Sequence, residues 1–243
     1  MAFNIAIDGP AGAGKSTIAK KAAEALSYIY VDTGAMYRAM ALYILEKGIG
    51  AEDEAAINAA CEEITVSISM EEGEQQVFLN GENVNGRIRT EEVGKMTSAI
   101  SIYRNVREKL TELQRSMART SDLIMDGRDI GTSVLPEAQV KIYLTASVET
   151  RGKRRFLELQ EKGIDCSLET ICADIAKRDE QDMNREISPL RQAEDAVLID
   201  SSDMTIQEVT ERILELVYER LEQTGCGGSS VKDWNRQAAG AVL

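Results

Sequence analysis

The sequence predicts an α/β fold in which helices flank a five-stranded parallel sheet, with a small antiparallel β insert added to that frame. Three observations predict it. Five short apolar segments recur along the chain, helical spacing fills most of the gaps between them, and a single region alternates at period two.

The segments are Phe3–Ile7, Tyr28–Val31, Leu123–Met125, Val140–Leu144 and Ala196–Ile199, each brief and rich in β-branched or aromatic residues. Helical spacing covers Ser16–Leu26, Ala35–Lys47, Thr97–Arg119, Val148–Glu161, Leu168–Asn184 and Ile206–Gln223. In the last of these, Ile206, Val209, Ile213, Leu216, Val217 and Leu221 form a stripe that must face a core. In the exceptional region Ile64, Val66, Ile68 and Met70 alternate with Thr65, Ser67 and Ser69. Glu72-Gly73, Val77–Leu79, Asn80-Gly81 and Val84 follow, and Asn-Gly is a hairpin signal. The antiparallel insert is therefore expected over about 61–90, the alternative being an irregular surface excursion.

Composition removes several classes of chemistry. The 243 residues hold 28 Lys and Arg against 41 Asp and Glu, a net charge of −13 that argues against a nucleic-acid partner. No apolar run approaches the roughly 18 residues that suggest a membrane span. There is no histidine, which excludes Ser-His-Asp and Cys-His catalysis and imidazole metal sites. Cys61, Cys166, Cys172 and Cys226 form no CxxC pair; dispersed thiols and the lack of a basic targeting segment lead to the expectation of a cytoplasmic protein.

Gly9-Pro10-Ala11-Gly12-Ala13-Gly14-Lys15-Ser16 matches G-x-x-x-x-G-K-[ST], follows the first strand and opens the first helix, which continues with Thr17. Such a loop turns consecutive amides onto phosphate oxygens, and the helix N-terminus adds partial positive charge. Lys15 is expected at the β- and γ-phosphates and the Ser16 hydroxyl at Mg²⁺, so this is an ATP-type site in a P-loop NTPase fold. No guanine-selecting N-K-x-D is present, nor a strand ending in Asp-Glu, which leaves a small phosphotransferase.

Asp32-Thr33-Gly34-Ala35-Met36-Tyr37-Arg38 follows the second strand and Gly127-Arg128-Asp129-Ile130-Gly131-Thr132 the third. Ligands of open α/β sheets bind at the carboxyl ends of strands, so both segments should line the cleft beside the loop. Arg178, Asp182 and Arg185 are spaced i, i+4 and i+7, on one helix face. Taken singly, each Arg–Asp neighbour pair is as readily a weak surface ion pair.

With IDGPAGAGKST, DTGAMYR, GRDIGT and the R-D-x-x-D-x-x-R series in hand, residues 1 to about 223 resemble the bacterial cytidylate kinases, nucleoside monophosphate kinases that pass the ATP γ-phosphoryl to CMP or dCMP. The resemblance implies that the insert extends the monophosphate-binding lobe. It implies catalytic roles for Lys15, Arg38, Arg128 and Arg178. Arg38 and Arg128 would hold the acceptor's α-phosphate, while Ser98, Arg107 and Asp129 would read cytosine. Asp182, with Arg178 and Arg185, would contact the sugar and the phosphates. Thr33 and Tyr37 complete the implied CMP set, Thr33 standing where the family usually has Ser. The basic run Arg151, Lys153, Arg154 and Arg155 is either a solvated helix face or part of a lid, placed at about 151–166. The implied partners are ATP and CMP or dCMP, with no nucleic acid and no membrane, for a monomer. Acceptors such as UMP or AMP, and a non-catalytic nucleotide-binding module, are the rival readings.

The kinase domain is expected over 1–224. Beyond it, Gly225–Ser230 reads as a flexible linker and Val231–Leu243 as a mobile extension, with docking of Trp234 the alternative.

Overall fold

A computed structural model describes residues 2–71 and 74–224. The expectations for Glu72-Gly73 and for 225–243 therefore lie outside the described residues.

Five strands form one parallel sheet: β1 (Asn4–Asp8), β2 (Ile29–Asp32), β6 (Leu123–Gly127), β7 (Val140–Thr145) and β8 (Val197–Asp200), in the order β2-β6-β1-β7-β8. β1 is central, with Ile5 opposite both Ile124 and Val140. Its side chains Ile5, Ala6 and Ile7 are buried, as strands covered on both faces require. Helices α1 (Lys15–Leu26) and α8 (Ile206–Thr224) cover one face around Ile18, Ala22, Ile213 and Val217. On the other face lie α2 (Thr33–Glu46), α3 (Glu54–Glu63), α4 (Glu91–Ile100) and α5 (Arg104–Thr120), around Met36, Met40, Ile57, Ile100 and Leu110.

The insert is a three-stranded antiparallel sheet of β3 (Val66–Glu71), β4 (Glu74–Leu79) and β5 (Glu82–Asn83). It is tied to the frame by Gln75, whose Oε1 accepts from Asp32 N at 2.9 Å and whose Nε2 donates to Asp32 O at 3.2 Å. A helical hairpin, α6 (Val148–Glu161) and α7 (Leu168–Asn184), completes the fold.

Three expectations need correction, and one helix was not foreseen. Cys61 lies in α3 rather than in the insert, whose strands begin at Val66. That helix was not anticipated, because its alanine-rich sequence offers little polar contrast; Asp53, whose side chain accepts from Ala56 N at 3.0 Å, is the local start signal. The single helix expected over Thr97–Arg119 is two, interrupted at Ser101–Tyr103, where Tyr103 OH donates to Ala51 O at 2.7 Å. And α2 begins at Thr33, not Ala35, because Asp32 caps it by accepting from Ala35 N at 3.0 Å.

Candidate active site

The phosphate loop joins β1 to α1. Gly9 is required by space and by backbone: its φ is 148° and a Cβ there would stand 1.9 Å from Leu144 O. Lys15 is buried and donates from Nζ to Pro10 O at 2.7 Å. Burial, then the charge of Arg128, pushes its amine down to about 7, and Arg178 adds to the effect. Thr17 is exposed on the first turn of α1.

Ser16 Oγ donates to Asp126 Oδ2 at 2.9 Å, and Tyr30 OH donates to Asp126 Oδ1 at 3.0 Å. Burial, then Asp32, pushes the Asp126 carboxyl up to about 6. Asp126 was not singled out in the sequence. Its signal was the hydrophobic run Leu123–Met125 closed by a single acid, discounted for want of a second one. A hydroxyl beside a carboxylate suits a hard cation that takes its other ligands from phosphates and water. Among the described residues no cluster of three or more acids or cysteines forms a self-sufficient metal cage.

The residues that the resemblance assigns to the acceptor come together. Arg128 Nε donates to Asp182 Oδ2 at 3.0 Å, and Arg185 Nη1 lies 3.8 Å from Asp182 Oδ1. Burial alone would raise the Asp182 carboxyl, but Arg128, Arg185 and Arg178 together hold it below the usual carboxylate range. Asp129 sits between two guanidinium groups, with Arg107 Nη2 at 2.5 Å and Arg185 Nη2 at 3.2 Å. Each carboxylate oxygen has two lone pairs, so Asp129 keeps capacity to accept from a ligand. Arg107 lies over the Tyr37 ring at 5.6 Å. Ser98, on α4, reaches α7 through Gln181, whose Nε2 donates to Ser98 O at 3.1 Å.

Neither Arg38 nor Arg178 is paired with a carboxylate among the described residues. Arg38 donates from Nη1 to Ile88 O at 3.0 Å, and burial followed by Arg89 lowers its pKa. Burial and then Arg128 push Arg178 down to about 10, and its Nε is buried without a partner. Lys15, Arg38, Arg128 and Arg178 thus crowd one another in a chain of net charge −13. Cations crowded in this way are relieved by anions.

Three sequence-identified residues stand differently from the simplest reading. The Thr33 hydroxyl is buried and donates to Asp126 O at 2.7 Å, so it holds β6. Within the basic run, Arg151 is buried and Arg154 donates from Nη2 to Ser201 O at 2.7 Å, so neither belongs to a solvated face. Arg155 is exposed and pairs with Glu158 at 2.8 Å.

A family model described as cytidylate kinase matches residues 5–219. The chain is 51% identical to a cytidylate kinase of Caldicellulosiruptor bescii over 216 residues, covering 89% of this chain and 96% of the relative. It is 51% identical to one from Lactobacillus johnsonii over 218 residues, covering 90% and 95%. Among solved structures it is similar to a gluconokinase from Sinorhizobium meliloti, with a TM-score of 0.48 at 12% identity, covering 91% of this chain and 95% of that one.

Proposed function

The chain belongs to the cytidylate kinase family, and from that membership we propose that it transfers the ATP γ-phosphoryl to CMP or dCMP through the side chains assembled above. One observation supports the assignment of roles: Lys15 and the acceptor-side arginines bear on one another's charge, an arrangement suited to two anions held side by side.

Phosphoryl transfer through a loose transition state asks for alignment and charge neutralisation more than for a base. This suits a chain with no histidine, since the acceptor phosphate is already ionised. The amides of Gly9–Ser16 and Lys15 hold the triphosphate, while Ser16 and Asp126 would hold Mg²⁺. The ion, when bound, neutralises charge on the β- and γ-oxygens. Arg38 and Arg128 offer forked donors to the acceptor phosphate, and Arg178 stands ready for the transferred group. Asp129 would accept from the cytosine N4 amino group, with Arg107 and Ser98 donating to the other polar atoms. Uracil presents an acceptor where cytosine presents that amino group, which would face Asp129 with a repulsive contact.

The hairpin end near 151–166 is assigned to lid closure, with the exposed Arg155 as the cation it would bring, and 1–224 to a single kinase unit. Three free cysteines among the described residues support a reducing cytosol, and we assign a monomer. No described helix is long and apolar enough to cross a membrane.

The test is an acceptor screen with ATP and Mg²⁺ over CMP, dCMP, UMP and AMP. CDP and dCDP should form far faster than UDP or ADP from AMP; equal turnover of UMP would overturn the base assignment.

A further inference from the structure

The signatures GPAGAGKS and GRDIGT meet at one side chain to which neither role above extends. Asp8 ends β1, directly ahead of Gly9, and is 4% exposed. Its Oδ1 accepts from Ile130 N and its Oδ2 from Gly131 N, both at 2.7 Å. These amides open the π-helical turn Ile130–Val134 that follows Arg128 and Asp129. The approach is close on the turn side as well: a Cβ at Gly131 would stand 3.3 Å from Asp8 Oδ2 and 3.2 Å from Lys141 Cδ.

The rest of the turn leans on the same strut. Asp129 O accepts from Ser133 N and Val134 N, so its backbone is held from below. Its side chain is spanned by Arg107 and Arg185. Burial pushes the Asp8 carboxyl up to about 6 although both amides and Lys15 favour its charge. An uncharged amide would be easier to bury there, but an asparagine would set its NH₂ against one of the two N–H donors.

We infer that Asp8 is a positioning residue for acceptor selection: by holding the Ile130 and Gly131 amides it sets where Arg128 and Asp129 stand in the cleft. It touches no substrate. It joins the strand that launches the ATP loop to the turn that receives the acceptor. With Asp8 gone, two buried amides lose their partners and the turn relaxes toward other acceptors. The effect on base selection rests on the reading of Asp129 as the group that meets cytosine; the effect on acceptor affinity does not.

Asp8→Asn and Gly131→Ala attack the strut from opposite ends, and either can carry the test where the other fails to fold. Steady-state kinetics of both should show KM for CMP raised about tenfold and the CMP-over-UMP preference lowered by a similar factor, with KM for ATP within about twofold of the parent. The double variant should be little worse than the worse single one, because both remove one interaction. Parental KM for CMP in both variants, or equal rises in KM for CMP and ATP, would overturn the inference. Asp129→Ala separates the two readings. If it leaves the preference intact, base reading by Asp129 fails and the strut is judged on KM for CMP alone. If it lowers the preference while Asp8→Asn and Gly131→Ala do not, the strut fails.

Discussion

Arg151 donates from Nη2 to Asp179 Oδ2 at 2.6 Å, with both side chains buried. The same guanidinium gives Nη1 to Ala11 O at 2.9 Å and Nε to Ala146 O at 2.8 Å. One side chain thereby joins the phosphate loop, the end of β7 and the helix that carries Arg178 and Asp182. Arg151→Ala would strand a buried carboxylate, a loss of about 3–5 kcal/mol. The unfolding temperature should fall by at least about 6 °C for a chain of this size, as scanning calorimetry would read. Arg151→Lys should recover little, because a point charge does not span three acceptors. A fall of under about 2 °C would mean that the pair is open to solvent.

The amine of Lys15 gives a pH dependence with a definite sign. Burial and Arg128 bring it to about 7 from an ordinary 10.5. An unfolded lysine keeps its proton across that window and the folded one releases it, so this group makes stability rise with pH between about 7 and 10.5. Triphosphate oxygens restore the ammonium form. Binding at pH 8 therefore takes up a proton, and affinity weakens as pH climbs above about 7. Calorimetry in two buffers of different ionisation enthalpy should show uptake of roughly one proton per ATP, and none in Lys15→Met. Heats independent of buffer would show that Lys15 is already charged in the free enzyme.

These two predictions differ in how far they were legible beforehand. The phosphate loop occupies consecutive residues, so its backbone chemistry can be read directly from Gly9–Ser16. The parallel strands were equally plain, because burial on both faces leaves continuous apolar runs such as Leu123–Met125. Partners distant in the chain were not. Tyr30 and Asp126 lie 96 positions apart, Asp8 and Ile130 122, and nothing local marks either pair. The break at Ser101–Tyr103 was hidden for another reason: buried Ile100 and Val106 continue an apolar pattern through it. Arg38 and Arg178 were marked by a strand end and by helix spacing, but their roles, like that of Arg107, came from the resemblance, since an isolated arginine carries no sign of its partner.

The helical hairpin contains a separable packing test. A Cβ on Gly152 would stand 2.3 Å from Cys172 Sγ and 3.8 Å from Cys172 Cβ. Gly152→Ala should therefore cost about 1–3 kcal/mol through overpacking of α6 on α7. Cys172→Ala removes the sulfur and leaves an ordinary contact, so the double variant should regain most of the loss. Thermal unfolding of the four proteins measures the coupling. Additive losses would place the strain elsewhere.

Arg178 is a cation among cations, and that predicts opposite effects on stability and on turnover. Asp182, which bears on its charge, is paired with Arg128 and Arg185, and Asp179 is paired with Arg151. Burial and Arg128 lower Arg178 to about 10 from 12.5, so holding it charged disfavours the folded state when no phosphate is present. Arg178→Met keeps the length of the stem and removes the charge. The free protein should gain about 1 kcal/mol, a rise of about 2–4 °C in unfolding temperature. The same variant should lose about a hundredfold or more in kcat with CMP, because the donor proposed for the transferred group is gone. KM for ATP should change by less than about twofold, since the loop amides and Lys15 are intact. A lower unfolding temperature would instead make Arg178 a structural tie of α7, with its loss of activity a consequence of local unfolding.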